Sequence, residues 1–442
     1  MTRSLGNRAR ATGAAAGEPL ASVEEVTTLI AAAVTVLPAV ALPLPQAVGR
    51  VLAEDVRAPM PLPRFDNAAM DGYAIRTAEV AAANPDAPTA LWSVAPSSAG
   101  QATPPELAVG CACPIGTGAP LPTGADAVIM LEHAIEHDGK VLVSRPVDRG
   151  QHVRRRGEDV AAGSGLLHAG QVVTAGQIVA AAALGRTTLQ VRRPPRTTTV
   201  LTGTEVVAAG QPLADHQVFD AVGPALQTLL ADTGCTTATL GPLDDDPRLL
   251  ATTLLSAAED SDALITVGGA SVGRHDLLKQ VLRRHGELHT WRVALRPAKP
   301  FVFGALAGTP VFGLPGNPAS ALAAYEVFVR PALLAMQGRS DDRSRLQAEL
   351  TEPFSQLPGR LHMVRALCWV REDRHLVRPV GAQGAGMVHA LARRQRLDGG
   401  SRPSRPPASR SPRRGLAHAE LGTPMTEWSG QPRVAPNTRP SA

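Results

Sequence analysis

From Thr197 to about residue 335 the chain alternates short apolar runs with longer stretches of helical spacing. This alternation constrains the fold more than any other feature of the sequence. Strands are predicted at Thr198–Leu201, Thr237–Leu240, Ala263–Val267 and Val311–Leu314. Helices are predicted over 222–233, 247–259, 275–285 and 318–335. Strand–helix alternation of this kind implies a mostly parallel sheet with helices on both faces, a three-layer α/β domain. Ligands of such sheets bind outside the carboxyl ends of the strands. The polar, glycine-bearing loops of this segment fall at those ends.

The flanking segments read differently. Residues 1–20 carry no apolar periodicity and are expected to be disordered. Ser22–Val23–Glu24–Glu25 is a capping box, followed by Val23, Val26, Ile30 and Val34 at helical spacing. Residues 46–140 are short strands and turns dense in Pro and Gly, a mainly β module. Residues 141–195 are mixed, with a helix predicted over Val172–Leu184 and stopped by Gly185. Residues 340–392 have β character, including Met363–Val370 and Leu376–Val380. The division expected is 21–45 with 141–195, then 46–140, 196–338 and 339–392, before an Arg/Pro-rich tail over 393–442. The chain is thus read as α/β and multidomain, one α/β domain joined to mainly β modules. The tail has almost nothing to bury and is expected to be disordered.

Charge excludes a nucleic-acid partner as the main function. The net charge is +5, but residues 393–442 hold ten Arg against three acids, a surplus of seven, so residues 1–392 come to about −2. Four cysteines among 442 residues are too few and too scattered for a disulfide framework. The first 22 residues have no apolar core of a signal peptide. Leu29–Leu44 is broken by Pro38 and Pro43 and too short to span a bilayer, so no membrane is expected. The reducing cytoplasm is the expected compartment.

Several loops carry groups suited to chemistry. Arg64–Phe65–Asp66–Asn67–Ala68–Ala69–Met70–Asp71–Gly72–Tyr73–Ala74 collects two carboxylates, an amide and a glycine in one turn, although an Asx-turn would use the same residues. Val267–Gly268–Gly269–Ala270–Ser271–Val272–Gly273 follows a strand and precedes a helix, where backbone amides can approach an anion. A plain βα connection has the same look. Leu314–Pro315–Gly316–Asn317–Pro318 opens the last long helix, with Asn317 as a natural N-cap and Pro318 in the first turn. Glu205, Asp244, Asp245, Asp246 and Asp276 follow strands; each alone suits a helix start, but together they suit Mg²⁺. Arg292 and Arg296 are placed on one side of a strand, with Lys299 close behind, a set that invites an oxyanion. Ile115–Gly116–Thr117–Gly118 adds a hydroxyl loop, and Arg154–Arg155–Arg156–Gly157–Glu158–Asp159 a mixed charged cluster. No nucleophile–His pair, zinc spacing or dinucleotide fingerprint stands out.

In this order, the stretches Phe65–Ala74, Thr117–Asp126, Arg154–Asp159, Thr202–Glu205, Asp245–Pro247, Gly268–Asp276, Arg296–Gly304 and Leu314–Ser320 resemble the MoeA family of molybdopterin molybdenumtransferases, related to the E domain of gephyrin. The resemblance covers roughly residues 20–392. It implies an elongated homodimer with its site between subunits, acting on adenylylated molybdopterin and molybdate with a divalent cation and releasing AMP. Carried over by motif, Asp71, Thr117, Glu205, Asp245, Asp276, Arg292 and Arg296 would be catalytic, with Glu205, Asp245 and Asp276 holding Mg²⁺. Gly268, Gly269, Ser271, Gly273, Lys299, Pro315, Gly316, Asn317 and Pro318 would hold the pterin and phosphate. Arg292 and Arg296 stand where the family usually has lysines, and Leu201, Val267 and Ala385 stand where its patterns have serines. These losses leave a non-catalytic molybdopterin-binding paralogue as an alternative, and the tail a gephyrin-like scaffold.

Overall fold

Two helices begin where the sequence supplies a reciprocal cap. In the computed structural model, which describes residues 20–100, 106–269, 277–290, 292–341, 345–355, 358–392 and 416–420, the first helix is α1 (Val23–Ala33). The Glu25 amide donates to Ser22 Oγ at 3.0 Å, and the Ser22 amide to Glu25 Oε2 at 2.7 Å. Helix α2 (Ala175–Ala183) starts at Thr174, whose amide donates to Gln177 Oε1 at 3.0 Å. Its capping box sets the start three residues inside the predicted span, and Gly185 with φ of 77° closes its far end.

The chain divides into two compact units, Ala39–Arg192 and the remainder. In the first, a six-stranded sheet runs through β1 (Gly72–Ile75), β2 (Thr89–Ser93), β3 (Cys111–Ile115), β4 (Ala127–Met130), β5 (Ala134–His137) and β6 (Lys140–Val143). Its order is β4-β1-β3-β2-β6-β5, antiparallel except where β2 meets β3. Both faces are buried: Tyr73, Ile75, Leu91 and Val141 pack on one, Ala74, Cys113, Ile115 and Val128 on the other. Cys111 packs on the same cluster as Cys113, and none of the four cysteines is in a disulfide. A Cβ on Gly72 would lie 1.9 Å from the Ile129 carbonyl oxygen, so only glycine lets β1 close on β4 there.

In the second unit the predicted α/β alternation is realised. The strands are β7 (Arg196–Thr202), β8 (Thr236–Leu243), β9 (Ala263–Val267), β10 (Glu287–Thr290), β11 (Val302–Leu306) and β12 (Thr309–Leu314). Their order is β8-β7-β9-β12-β11-β10; the first four are parallel and the last two antiparallel. Helices α3 (Gly223–Asp232), α6 (Pro318–Ala324) and α7 (Arg330–Met336) join α1 on one face, around Leu226, Ile265, Phe312 and Phe328. Helices α4 (Pro247–Asp260) and α5 (Leu277–His285) cover the other, around Leu254, Leu264, Val281 and Val311. The result is a three-layer arrangement.

The helix predicted over 318–335 is interrupted. A π turn, Tyr325–Val329, separates α6 from α7. The Tyr325 side chain is fully buried and its hydroxyl donates to the Leu229 carbonyl at 2.8 Å. Pro318–Met336 is apolar and long enough to cross a membrane, but most of it is core.

Beyond residue 340, Ala366–Arg371 and Arg374–Pro379 form an antiparallel hairpin, with Arg345–Leu350 parallel to the second strand. Leu416–Glu420 lies against Arg345–Leu350 as a further strand, inside the stretch for which the sequence shows no apolar periodicity. The rest of the 393–442 tail, and residues 1–19, lie outside the described residues.

Candidate active site

Three of the loops singled out in the sequence converge within the first unit. The pair Asn67–Ala68 is hydrogen-bonded to Val153–Arg154, and the Gly118 amide donates to the Ala68 carbonyl at 2.8 Å. Asp71 leaves this turn just before β1, opposite the hydroxyl loop. The Thr117 amide and hydroxyl donate to Asp71 Oδ1 at 2.6 and 2.8 Å. These two bonds hold the exposed Asp71 carboxyl below its ordinary value, the amide contributing most. Gly116 lies beside this pair, where a Cβ would make only an ordinary contact with Asp71 Oδ1 at 3.8 Å.

Asp66 has a structural role. It accepts from Arg155 Nη1 and from the Arg156 amide, each at 2.8 Å. Burial pushes its carboxyl up, but the Arg156 amide and Arg155 guanidinium outweigh burial, so the net shift is downward. Glu158 in turn accepts from the Arg155 amide at 2.6 Å. Asn67 donates to the Phe65 carbonyl at 3.1 Å, closing its own turn.

In the second unit the carboxyl ends of β7, β8, β9 and β12 bring their loops to one edge, because the four strands are adjacent and parallel. Gly268, with φ of 88°, packs on β7: a Cβ would stand 2.4 Å from the Thr202 carbonyl oxygen. Its glycine is therefore required by backbone packing as well as by conformation. Gly316 lies beside it, its hypothetical Cβ 3.9 Å from Gly268 Cα. Pro315 is buried, whereas Gly316 and Asn317 are exposed. Asn317 stands at the N-cap position of α6 without using its side chain to cap. The Ala319 amide instead reaches the Ala385 carbonyl at 3.1 Å, which ties the 383–386 loop to the same edge.

The acids sort by role. Asp246 caps α4 through the Arg248 amide at 2.8 Å, and Asp220 caps the start of α3 through the Val222 and Gly223 amides at 3.0 and 2.8 Å. Glu205 and Asp245 remain exposed at neighbouring strand ends. Ser271, Gly273 and Asp276 lie outside the described residues.

The basic segment forms a strand only at Leu295–Arg296, which pairs in parallel with Leu361–His362. Val293 and Leu295 are buried, Arg292 and Ala294 half-buried and Arg296 exposed, the alternation expected of an extended chain. The Lys299 carbonyl accepts from the Val293 amide at 3.0 Å and so folds the segment back on itself.

Two residues near Arg296 escaped the sequence reading. His362 is paired with Arg296 across the strands, and both its ring nitrogens are buried with no hydrogen-bond partner. Arg365 donates through Nη2 to the carbonyls of Ala382 and Gly384 at 3.2 and 3.1 Å, while its buried Nε has no partner. Gln383 locks the same loop, accepting from the Arg365 amide and donating to the Arg365 carbonyl, both at 3.0 Å. The only signal in the sequence was Arg360, His362 and Arg365 crowded ahead of a half-apolar strand.

Residues 21–185 match the model of the MoeA N-terminal region (domain I and II), and residues 198–335 that of the probable molybdopterin binding domain. The chain is 37% identical over 354 residues to molybdopterin molybdenumtransferase 2 of Mycobacterium tuberculosis, covering 78% of this chain and 87% of the relative. It belongs to the MoeA family. The molybdopterin molybdenumtransferase of Haemophilus influenzae is 34% identical over 356 residues, 80% of this chain and 87% of that one. The MoeA protein of Pyrococcus horikoshii superposes with a TM-score of 0.72 at 28% identity, over 84% of this chain and 93% of that chain. The likeness to a solved MoeA structure spans both compact units, so the multidomain α/β reading holds for the chain.

The divalent cation implied by MoeA resemblance finds an incomplete donor set. No three His, Cys, Asp or Glu gather among the described residues, and Glu205 and Asp245 are two exposed carboxylates on separate loops. These two alone do not make a cation site of the usual oxygen-rich kind.

Proposed function

We propose that this MoeA chain is a molybdopterin molybdenumtransferase that inserts molybdate into adenylylated molybdopterin and releases AMP. One observation supports the reading: a relay of contacts links the strand-end loops to the basic cluster. Thr202 touches Gly268, Gly268 neighbours Gly316, and the Ala385 loop joins α6 to Arg365. Arg365 stands three residues beyond His362, the partner of Arg296. An anionic pterin phosphate and a dianionic oxyanion thus meet glycine-lined backbone at one end and guanidinium charge at the other.

The residues supply positioning and charge. Arg296 and Arg365 neutralise the oxyanion, and buried Nε of Arg365 is a donor awaiting an acceptor. Gly268 and Gly316 keep the floor of the edge free of side chains. Arg292 and Lys299 add charge to the same segment. Asp71, ionised and fixed by Thr117, belongs to the other compact unit. We read it as completing a site shared between subunits of a homodimer in the cytoplasm. Glu205, Asp245 and Asp276 are our candidates for the Mg²⁺ donors, and no chemical step is derived through them. The division into 21–45 with 141–195, 46–140, 196–338 and 339–392 is part of the same proposal.

Purified chain incubated with adenylylated molybdopterin, Mg²⁺ and molybdate is expected to release AMP in proportion to molybdenum incorporated. Asp245→Ala serves as the control. Tight pterin binding without AMP at any molybdate concentration would favour the non-catalytic paralogue instead.

A further inference from the structure

His362 occupies an unusual position for an imidazole. It sits in the short strand pairing Leu295–Arg296 with Leu361–His362, and directly paired residues of adjacent strands project to one face. Arg296 is therefore its neighbour. The Met363 amide donates to the Arg296 carbonyl at 2.7 Å, which fixes this register. Arg365 lies three residues on and holds the loop 382–384. The Phe354 ring packs against the imidazole with centroids 5.4 Å apart.

Both ring nitrogens are out of solvent and unpartnered, although one must carry a proton and the other a lone pair. Buried polar atoms are nearly always satisfied, so two orphans on one ring need a reason. A carboxylate partner would explain a protonated ring, yet the charged groups acting on His362 are both cationic, Arg296 and Arg365. Phe354 brings a neutral ring, and the loop Gly381–Gly384 held by Arg365 contains no charged residue. Among the described residues, the charged groups acting on the ring are therefore two guanidiniums and no carboxylate.

We propose that His362 is the proton-linked element of the oxyanion site: it takes a proton from solvent as a dianionic oxyanion enters beside Arg296 and Arg365, and donates to it. This rests on the reading of those two arginines as the oxyanion cluster. In the empty protein burial lowers the affinity of the ring for a proton, and the two guanidiniums lower it further. A dianion reverses that sign, because an adjacent negative charge favours imidazolium. Neutral His362 lets two guanidiniums stand close without a third charge. Protonated His362 adds a third charge-assisted donor only when the oxyanion is present.

The consequence is a linked equilibrium with a definite sign. Between the lowered value of the free ring and the raised value of the occupied one, binding takes up to one proton. Oxyanion affinity then falls as pH rises, by up to about tenfold per pH unit inside that window, and levels off on either side.

The test is calorimetric titration of the full chain with sodium molybdate alone, in buffers of different ionisation enthalpy and between about pH 5.5 and 8. Wild type is expected to take up a fraction of a proton on binding and to bind more weakly as pH rises. His362→Gln, neutral throughout, is expected to bind without proton uptake and with a flat pH profile. Should that variant fail to fold, the imidazole resonance of His362 in wild type decides: molybdate must move its titration to higher pH. Molybdate binding by wild type with no proton uptake would overturn the role of His362 and leave the arginine cluster standing. No molybdate binding by wild type, or binding that Arg365→Ala leaves unchanged, would overturn both.

Discussion

Thr117 donates two hydrogen bonds to a single oxygen of Asp71, the amide at 2.6 Å and the hydroxyl at 2.8 Å, both to Oδ1. The carboxylate of an exposed aspartate is thereby fixed and kept ionised without an ion pair. Replacing Thr117 by Val removes the hydroxyl and keeps the amide. Its expected effect is a drop in AMP release of about tenfold, the scale of one charge-assisted hydrogen bond, with the fold intact. The depressed Asp71 carboxyl gives the sign of the pH effect. Activity needing the ionised form persists in wild type below the usual carboxylate range, and the acid limb of kcat/KM should move to higher pH in Thr117→Val. A pH–rate profile that does not move would separate Asp71 from the reaction.

Gly72 stands at the closest approach of β1 to β4. A methyl group there would meet the Ile129 carbonyl oxygen at 1.9 Å, and the nearest atoms are all backbone of Ile129 and Met130, so no flexible side chain can yield. Gly72→Ala is expected to lose about 3 kcal/mol of stability. Chemical denaturation checks it; a midpoint equal to wild type would mean that the two strands separate freely at this point.

Asp262 joins the linker into β7. It accepts from Arg193 Nη1 and Nη2 at 2.7 and 2.8 Å and from the Arg196 amide at 2.7 Å. Burial alone would raise this carboxyl, but the Arg193 fork, the Arg196 amide and the two guanidinium charges outweigh it, and it lies below its ordinary value. A depressed carboxyl stabilises above its unfolded pKa, about 3.9, and loses that contribution as pH falls through the lower folded value. Asp262→Asn is expected to lower stability by about 2 kcal/mol at neutral pH. The melting temperatures of variant and wild type should converge in strong acid. Parallel curves at every pH would contradict the ion-pair origin.

Arg365 binds two loop carbonyls and keeps a buried Nε without an acceptor. Arg365→Ala is expected to raise the molybdate concentration needed for half-maximal AMP release by about tenfold or more. Arg365→Lys is expected to rescue little, since an ammonium cannot hold the loop and face an oxyanion with one planar fork. Full rescue by lysine would reduce the role to charge alone.

What the sequence could determine was whatever a few neighbouring residues encode. Ser22 and Glu25 set the first helix because a capping box closes within four residues. Ala263–Val267 is a strand along its whole predicted length because four apolar residues and Thr266 can be buried on both faces only in a covered sheet. The family resemblance was also legible, since its motifs are short and ordered. Tertiary structure decided everything that joins distant positions. Asp71 meets Thr117 from 46 residues away, and Arg193 meets Asp262 from 69. Asp246 was one of three like acids until the dihedrals at the start of α4 made it the cap. A π turn at Tyr325 has no signature in spacing, and neither has the bond of its hydroxyl to Leu229, 96 residues upstream. Arg296 and His362 have no pattern in common. Only strand pairing sets them side by side, and only burial leaves that ring without a partner.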